Sequence, residues 1–203
     1  MSSRRMPVKK KKAARETGVL PQDRPLRGLD AVQLQSRFVA ALQAADGEAG
    51  AHCIHELWLG GAFPARIETL QDELWQRASA SVPEWLPMRY VHWLPLAYDV
   101  AARFSAQKTG RSHIYLVLLD FADRRSGDAH GVYVGMSQYR AAQRFDQHMA
   151  GIRASGSVLK RGLEVLTGPV LHLQYIARAE AVRIEGELAA ALADAGLRVE
   201  GGH

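Results

Sequence analysis

The chain has a single cysteine among its 203 residues, Cys53. That count excludes an intramolecular disulfide and a zinc site built on cysteine thiolates. A lone thiol is more often a small buried apolar residue than a nucleophile, so the reducing cytoplasm is the expected compartment. Long hydrophobic runs are also missing. The longest apolar run after the basic start is IYLVLL, residues 114–119, far too short to span a bilayer, and no apolar core of a signal peptide follows that start. A soluble protein with no membrane partner is expected. No internal repeat is present.

Acidic residues are absent from the first 12 positions, where Arg4, Arg5 and Lys9 to Lys12 supply six positive charges. The net charge is +5, so the rest of the chain carries 5 − 6 = −1. Residues 13–102 hold 7 basic and 11 acidic side chains, and residues 103–203 hold 13 and 10. The basicity is therefore mostly a tail, with a mild positive bias in the C-terminal half. Such tails follow phosphate backbones or simply stay solvated.

Three regions follow from periodicity. Residues 1–28 read as a disordered basic tail, punctuated by Pro21, Pro25 and Gly28. Residues 29–112 read as mainly helical. Leu34, Phe38 and Leu42 form one helical stripe that stops near Asp46-Gly47, and a second helix is expected at 52–59. A third follows Pro64, and a fourth is expected at about 97–106. Between these last two, residues 82–96 carry three prolines and read as an ordered connector that packs Trp85 and Trp93 into a core. This region has no motif of its own and is a possible protein-interaction surface. Residues 113–203 change character: strands are expected at 114–120, 132–135 and 170–176, and helices at 139–150, 158–166 and 178–195. The predicted class is α+β, a small three-stranded sheet flanked by helices in the order β-β-α-α-β-α.

The chemistry-bearing residues concentrate in this last region. HIYLVLLD and GVYVGMS put Tyr115 and Tyr133 on paired strands, and Gly135 closes the second. RFDQH spaces Arg144 and His148 at i, i+4, on one helical face. AEAVRIEGEL carries Glu185 on the final helix. In order and spacing these pieces resemble the GIY-YIG nuclease family over residues 113–203. The resemblance implies a metal-dependent endonuclease acting on DNA, with Tyr115, Tyr133, Arg144, His148 and Glu185 as catalytic residues and Glu185 as ligand of one Mg²⁺ or Mn²⁺. Three positions depart from the family pattern. His113 replaces the first glycine, the helix arginine falls one residue late, which makes Arg140 a substitute, and the asparagine near the domain end is missing, leaving His203 or backbone groups in its place.

Phosphodiester hydrolysis explains these residue types. It needs an activated water, charge stabilisation at phosphorus and help for the leaving oxygen. A carboxylate such as Glu185 can hold a hard cation whose shell is otherwise water. Arg144 offers a planar fork to phosphate oxygens. Either tyrosine could serve as base, with His148 orienting it or relaying its proton. Arg140, Arg153, Lys160 and Arg161 are candidate phosphate contacts. His52, Cys53 and His55 fit no metal pattern, and Trp85, Tyr90 and Trp93 are expected to be core rather than base-stacking residues. The alternative from another class is a catalytically silent nucleic-acid-binding module on the same fold.

Overall fold

The computed structural model describes residues 20–122 and 129–202. The basic charges at positions 4–12, and His203, lie outside the described residues. From Leu20 the chain is ordered, so the disorder expected for residues 1–28 does not hold over residues 20–28, which are held by contacts to distant segments. Pro21 is buried in a short 3-10 turn, Arg24 pairs with Glu56 at 2.6 Å, and the Gln22 amide donates to the Gly168 carbonyl.

Helix α1 (Ala31–Ala44) opens on Asp30, whose carboxylate accepts from Val32 and Gln33 N–H while the Gln33 side chain accepts from Asp30 N–H. Such a reciprocal cap is worth about 1 kcal/mol. Helix α2 (Gly47–Leu59) begins earlier than its apolar periodicity predicts, because Asp46 caps it by accepting from Ala49 N–H. The Asp46-Gly47 pair is thus a start as well as a stop. Gly47 is required by close approach: a Cβ there would lie 2.4 Å from the backbone nitrogen of Val82. Helix α3 (Pro64–Ala78) follows, and α4 (Leu94–Ala101) starts nearer Trp93 than expected. Trp85 and Trp93 are buried, and Tyr90 stacks on Trp58 with centroids 5.2 Å apart.

The sheet has five strands among the described residues, where three were expected. Strand β1 (Ser112–Asp120) lies between β2 (His130–Ser137) and β3 (Gly162–Leu166), antiparallel to both, and the short β4 (Gln174–Ile176) pairs with its start. Strand β5 (Val199–Gly201) runs parallel to β2 on its far side. Two helices, α5 (Ala141–Met149) and α6 (Gly156–Arg161), lie between β2 and β3, and α7 (Arg178–Asp194) precedes β5.

Two segments fold otherwise than their local pattern predicts. The helix predicted for 158–166 stops at Arg161, and residues 162–166 pair with β1 instead, Val117 opposite Val165 and Leu118 opposite Glu164. A ladder partner from outside the segment overrides its local preference. The strand predicted for 170–176 begins as a 3-10 turn, Gly168–Val170, and reduces to β4.

Strand β1 is buried on both faces, and alternation sends its side chains to two different places. Ile114, Leu116 and Leu118 join Val132 and Val134 of β2 in a core completed by α7 and by all four N-terminal helices. Tyr115, Val117 and Leu119 face the other way, to Phe121, Val158 and the half-buried Tyr133, Ala141 and Phe145. The larger core continues across residues 106–113, where the sequence changes from helical to strand periodicity. Glu164 of β3 adds a polar tie, accepting from Met88 N–H at 2.8 Å and facing Arg89 at 3.5 Å.

Because Leu94 of α4 is 1% exposed within this shared core, Leu94→Ala should cost roughly 2–5 kcal/mol. Denaturant melts followed by tryptophan fluorescence and by far-UV circular dichroism should shift together. Separate transitions for the helical region and the sheet would show that the two cores are independent.

Candidate functional site

The second face of the sheet carries the site. Residues 115 and 135 are direct partners across β1 and β2, as are residues 117 and 133. This register brings both tyrosine rings over Gly135, with centroids 6.1 Å apart. A Cβ on Gly135 would lie 2.6 Å from ring atoms of both. Gly135 is therefore the floor on which the tyrosines sit. It is not itself exposed for substrate contact.

Helix α5 supplies His148 from its last turn. Its Nε2 lies 3.0 Å from the Tyr115 hydroxyl, and its Nδ1 accepts the Ser155 backbone N–H at 2.9 Å. An accepting Nδ1 fixes the neutral tautomer, so Nε2 carries the proton and donates to Tyr115. Burial and the neighbouring Arg144 push the imidazole down to about 4 from 6.5, consistent with a neutral ring at pH 7. In this arrangement the His148 Nε2–H donates to the Tyr115 hydroxyl and accepts no proton from it.

The two tyrosines are not equivalent. Tyr115 is 2% exposed, whereas Tyr133 is half-buried and opens on the cleft. Burial raises both phenols above their ordinary value of 10. For Tyr133 the Glu185 carboxylate adds to the rise, while hydrogen bonds from Tyr115 and the Ser155 side chain and the charge of Arg144 oppose it.

Arg144 projects from the same helix face as His148, as its spacing predicted. Its guanidinium donates to the Ile152 carbonyl at 3.1 Å, the Arg153 carbonyl at 2.7 Å and the Gln147 side chain at 3.2 Å. These bonds tie down the loop after α5, which turns through Gly151 at φ +75° and Arg153 at φ +45°. That loop presents Ser155 to His148. Arg144 is therefore a builder of the site as well as a wall of it.

An open cleft of about 700 Å³ is lined by Tyr133, Arg144, His148, Arg153, Lys160 and Arg161, together with residues 154–157. Its ionisable walls carry no carboxylate. Three of the four predicted phosphate contacts, Arg153, Lys160 and Arg161, are brought together here. Arg140 is not: it lies exposed ahead of α5, where its charge acts on His113. The physical reason is that α5 begins only at Ala141, so residue 140 is outside the helical face that carries 144 and 148. Glu185 stands beside the cleft on α7, accepting the Met136 N–H at 3.0 Å and close enough to Tyr133 to act on its ionisation. Among the described residues no three acidic, histidine or cysteine side chains gather as a metal cage. His52, Cys53 and His55 are buried in α2, with His55 against the rings of Trp85 and Tyr98.

Ser155 is the site residue that sequence reasoning did not select. Its signal is faint, a serine just before a six-residue helix. The N–H that it gives His148 is one that every non-proline residue has, although its side chain also bonds Tyr133. No helix among the described residues is long and apolar enough to cross a membrane. Comparison with protein-family models, with curated proteins and with solved structures finds no match to this chain.

The depressed His148 gives a pH test. Its folded value lies below its ordinary 6.5, so the unfolded chain binds the extra proton and stability is complete above pH 6.5. It falls as pH drops from 6.5 towards 4. His55, also lowered to about 4 by burial, adds to the same window. Melting temperatures across pH 4–8 should show this decline, and His148→Gln should make it shallower. A slope unchanged by that substitution would show that His148 titrates normally. In addition, Gly135→Ala should cost about 1–3 kcal/mol by overpacking the tyrosine rings, read as a lowered denaturant midpoint with an unchanged m-value.

Proposed function

We propose that this protein is a metal-dependent endonuclease of GIY-YIG type that hydrolyses phosphodiester bonds in DNA. The observation that carries the reading is the relay from Ser155 N–H through neutral His148 to Tyr115, opening beside Tyr133 into a cleft with basic walls. A purely structural cluster has no need to leave one tyrosine facing an open, cationic cleft.

In this reading the scissile phosphate sits among Arg153, Lys160 and Arg161, whose charges hold its non-bridging oxygens. Tyr133, the phenol that faces the cleft, takes the proton of the attacking water. Burial and the Glu185 carboxylate hold this phenol above its ordinary 10, and the Tyr115 and Ser155 hydrogen bonds and Arg144 offset part of that rise, so it acts as base only in its ionised fraction. His148 holds Tyr115 in the orientation that lets its hydroxyl point at the Tyr133 oxygen. Glu185 is the acidic side chain beside Tyr133, and one carboxylate suits Mg²⁺ or Mn²⁺, which keep most of their shell as water. Such an ion would supply charge neutralisation on the phosphate and the leaving oxygen.

One observation favours the alternative of a silent nucleic-acid-binding module. Three of the Arg144 donors are already committed to the loop after α5, so the arginine is less free to meet developing charge than its sequence position implied.

Incubation with plasmid, single-stranded and branched DNA, with and without Mg²⁺ or Mn²⁺, separates the two readings. Metal-dependent cleavage is expected, and binding without cleavage under every condition would leave only the module. Glu185→Gln should bind DNA yet lose cleavage, and Tyr133→Phe should do the same. Arg144→Ala should slow cleavage by roughly 10²- to 10³-fold, on the scale of one lost transition-state donor. Arg140→Ala, which removes no residue that lines the cleft, should weaken binding slightly and leave the cleavage step unchanged. Full cleavage by Glu185→Gln would remove the metal assignment.

A further inference from the structure

Strand β5 brings a second acidic residue to the site. Glu200 is the direct partner of Tyr133 in the parallel β2–β5 pairing, so the two side chains leave the sheet on the same face. There its carboxylate meets Arg161, a wall of the cleft, at 3.7 Å. Arg161 has another support. Its guanidinium lies 4.8 Å from the centre of the Phe121 ring, and Arg198, two residues before Glu200, covers the same ring at 3.5 Å. The aromatic ring thus anchors Arg161 independently of the carboxylate.

We infer that Glu200 is an internal competitor for phosphate: in the free protein it occupies Arg161, and a nucleic-acid phosphate must displace it. The geometry makes the exchange easy in one direction. At 3.7 Å, with the two side chains 22% and 28% exposed, the pair is a loose and solvated one, of the kind that contributes little. A phosphate offers the guanidinium a bidentate partner and releases counterions as it binds. Glu200 therefore lowers the affinity of the cleft for any phosphate backbone, and it does so through Arg161 specifically. Because Phe121 keeps the guanidinium in place, removing the carboxylate should expose Arg161 without collapsing it. Glu200 is a positioning and tuning residue, with no contact to the reacting atoms.

The inference rests on the reading of the cleft as a phosphate site, and its test is built to separate the two. Binding of a fluorescent DNA duplex by the full chain is measured in EDTA at about 0.1 M salt, for the wild type, Glu200→Gln, Arg161→Gln and the double variant. Glu200→Gln should tighten binding by about two- to fivefold, the range an exposed ion pair can withhold. In the Arg161→Gln background the same substitution should have almost no effect. In a separate assay with Mg²⁺ in place of EDTA, the maximal cleavage rate at saturating DNA should stay within about twofold of wild type, so that only KM falls. Equal or weaker binding by Glu200→Gln overturns the inference. So does an equal gain in the Arg161→Gln background, which would show a general charge effect. If the wild type binds no DNA at all, the phosphate reading of the cleft falls, and the competitor with it.

Discussion

Strand β1 has to be buried on both of its faces, and most of the molecule is arranged to satisfy that requirement. Its even-numbered residues, Ile114, Leu116 and Leu118, need a large apolar cover, which α7 and the four N-terminal helices provide. Its odd-numbered residues need a second cover, which α5, α6 and Phe121 provide only in part. Where that second layer stops short, Tyr133 is left against the cleft, with Tyr115 buried behind it. The site is thus the unfinished edge of a core. This explains how a tyrosine hydroxyl can be nearly buried and still stand one residue from an open basic surface.

The same partial burial sets the electrostatics. Desolvation raises the phenols and lowers the imidazole, so all three groups are neutral at pH 7 in the free protein. Neutrality suits a relay in which direction is fixed by donors and acceptors. The Ser155 N–H occupies one histidine nitrogen, and the other must then donate to Tyr115. The loop that offers Ser155 is in turn fastened by Arg144 through two backbone carbonyls. One arginine therefore couples loop shape, histidine tautomer and tyrosine orientation, and its charge also bears on both phenols.

How much of this was legible depends on the range of the interaction concerned. Tyr115, Tyr133, Arg144 and His148 were selected correctly as neighbours because strand alternation and the i, i+4 helical spacing are local rules. The buried tryptophans of the connector followed from composition and proline punctuation. Arg140 does not line the cleft with the other cations, because it stands just before α5, and a helix boundary is where local signals are weakest. The apolar pattern of residues 162–166 is short and ambiguous between helix and strand, and only the free edge of β1 makes them a strand.

The sequence by itself determined the α+β class, the pairing of two tyrosine-bearing strands, the helix that joins arginine to histidine, and a C-terminal half with a cationic bias. Each rests on contacts between residues close in the chain. Tertiary structure alone decided that the helical region and the sheet share a core, that Tyr133 rather than Tyr115 faces the cleft, and that His148 donates rather than accepts. It alone added β5, which sets Glu200 beside Tyr133 from 67 positions away. These outcomes depend on which distant segments fill the space around β1. That is a question of packing volume and of unsatisfied backbone groups, and no local spacing encodes it.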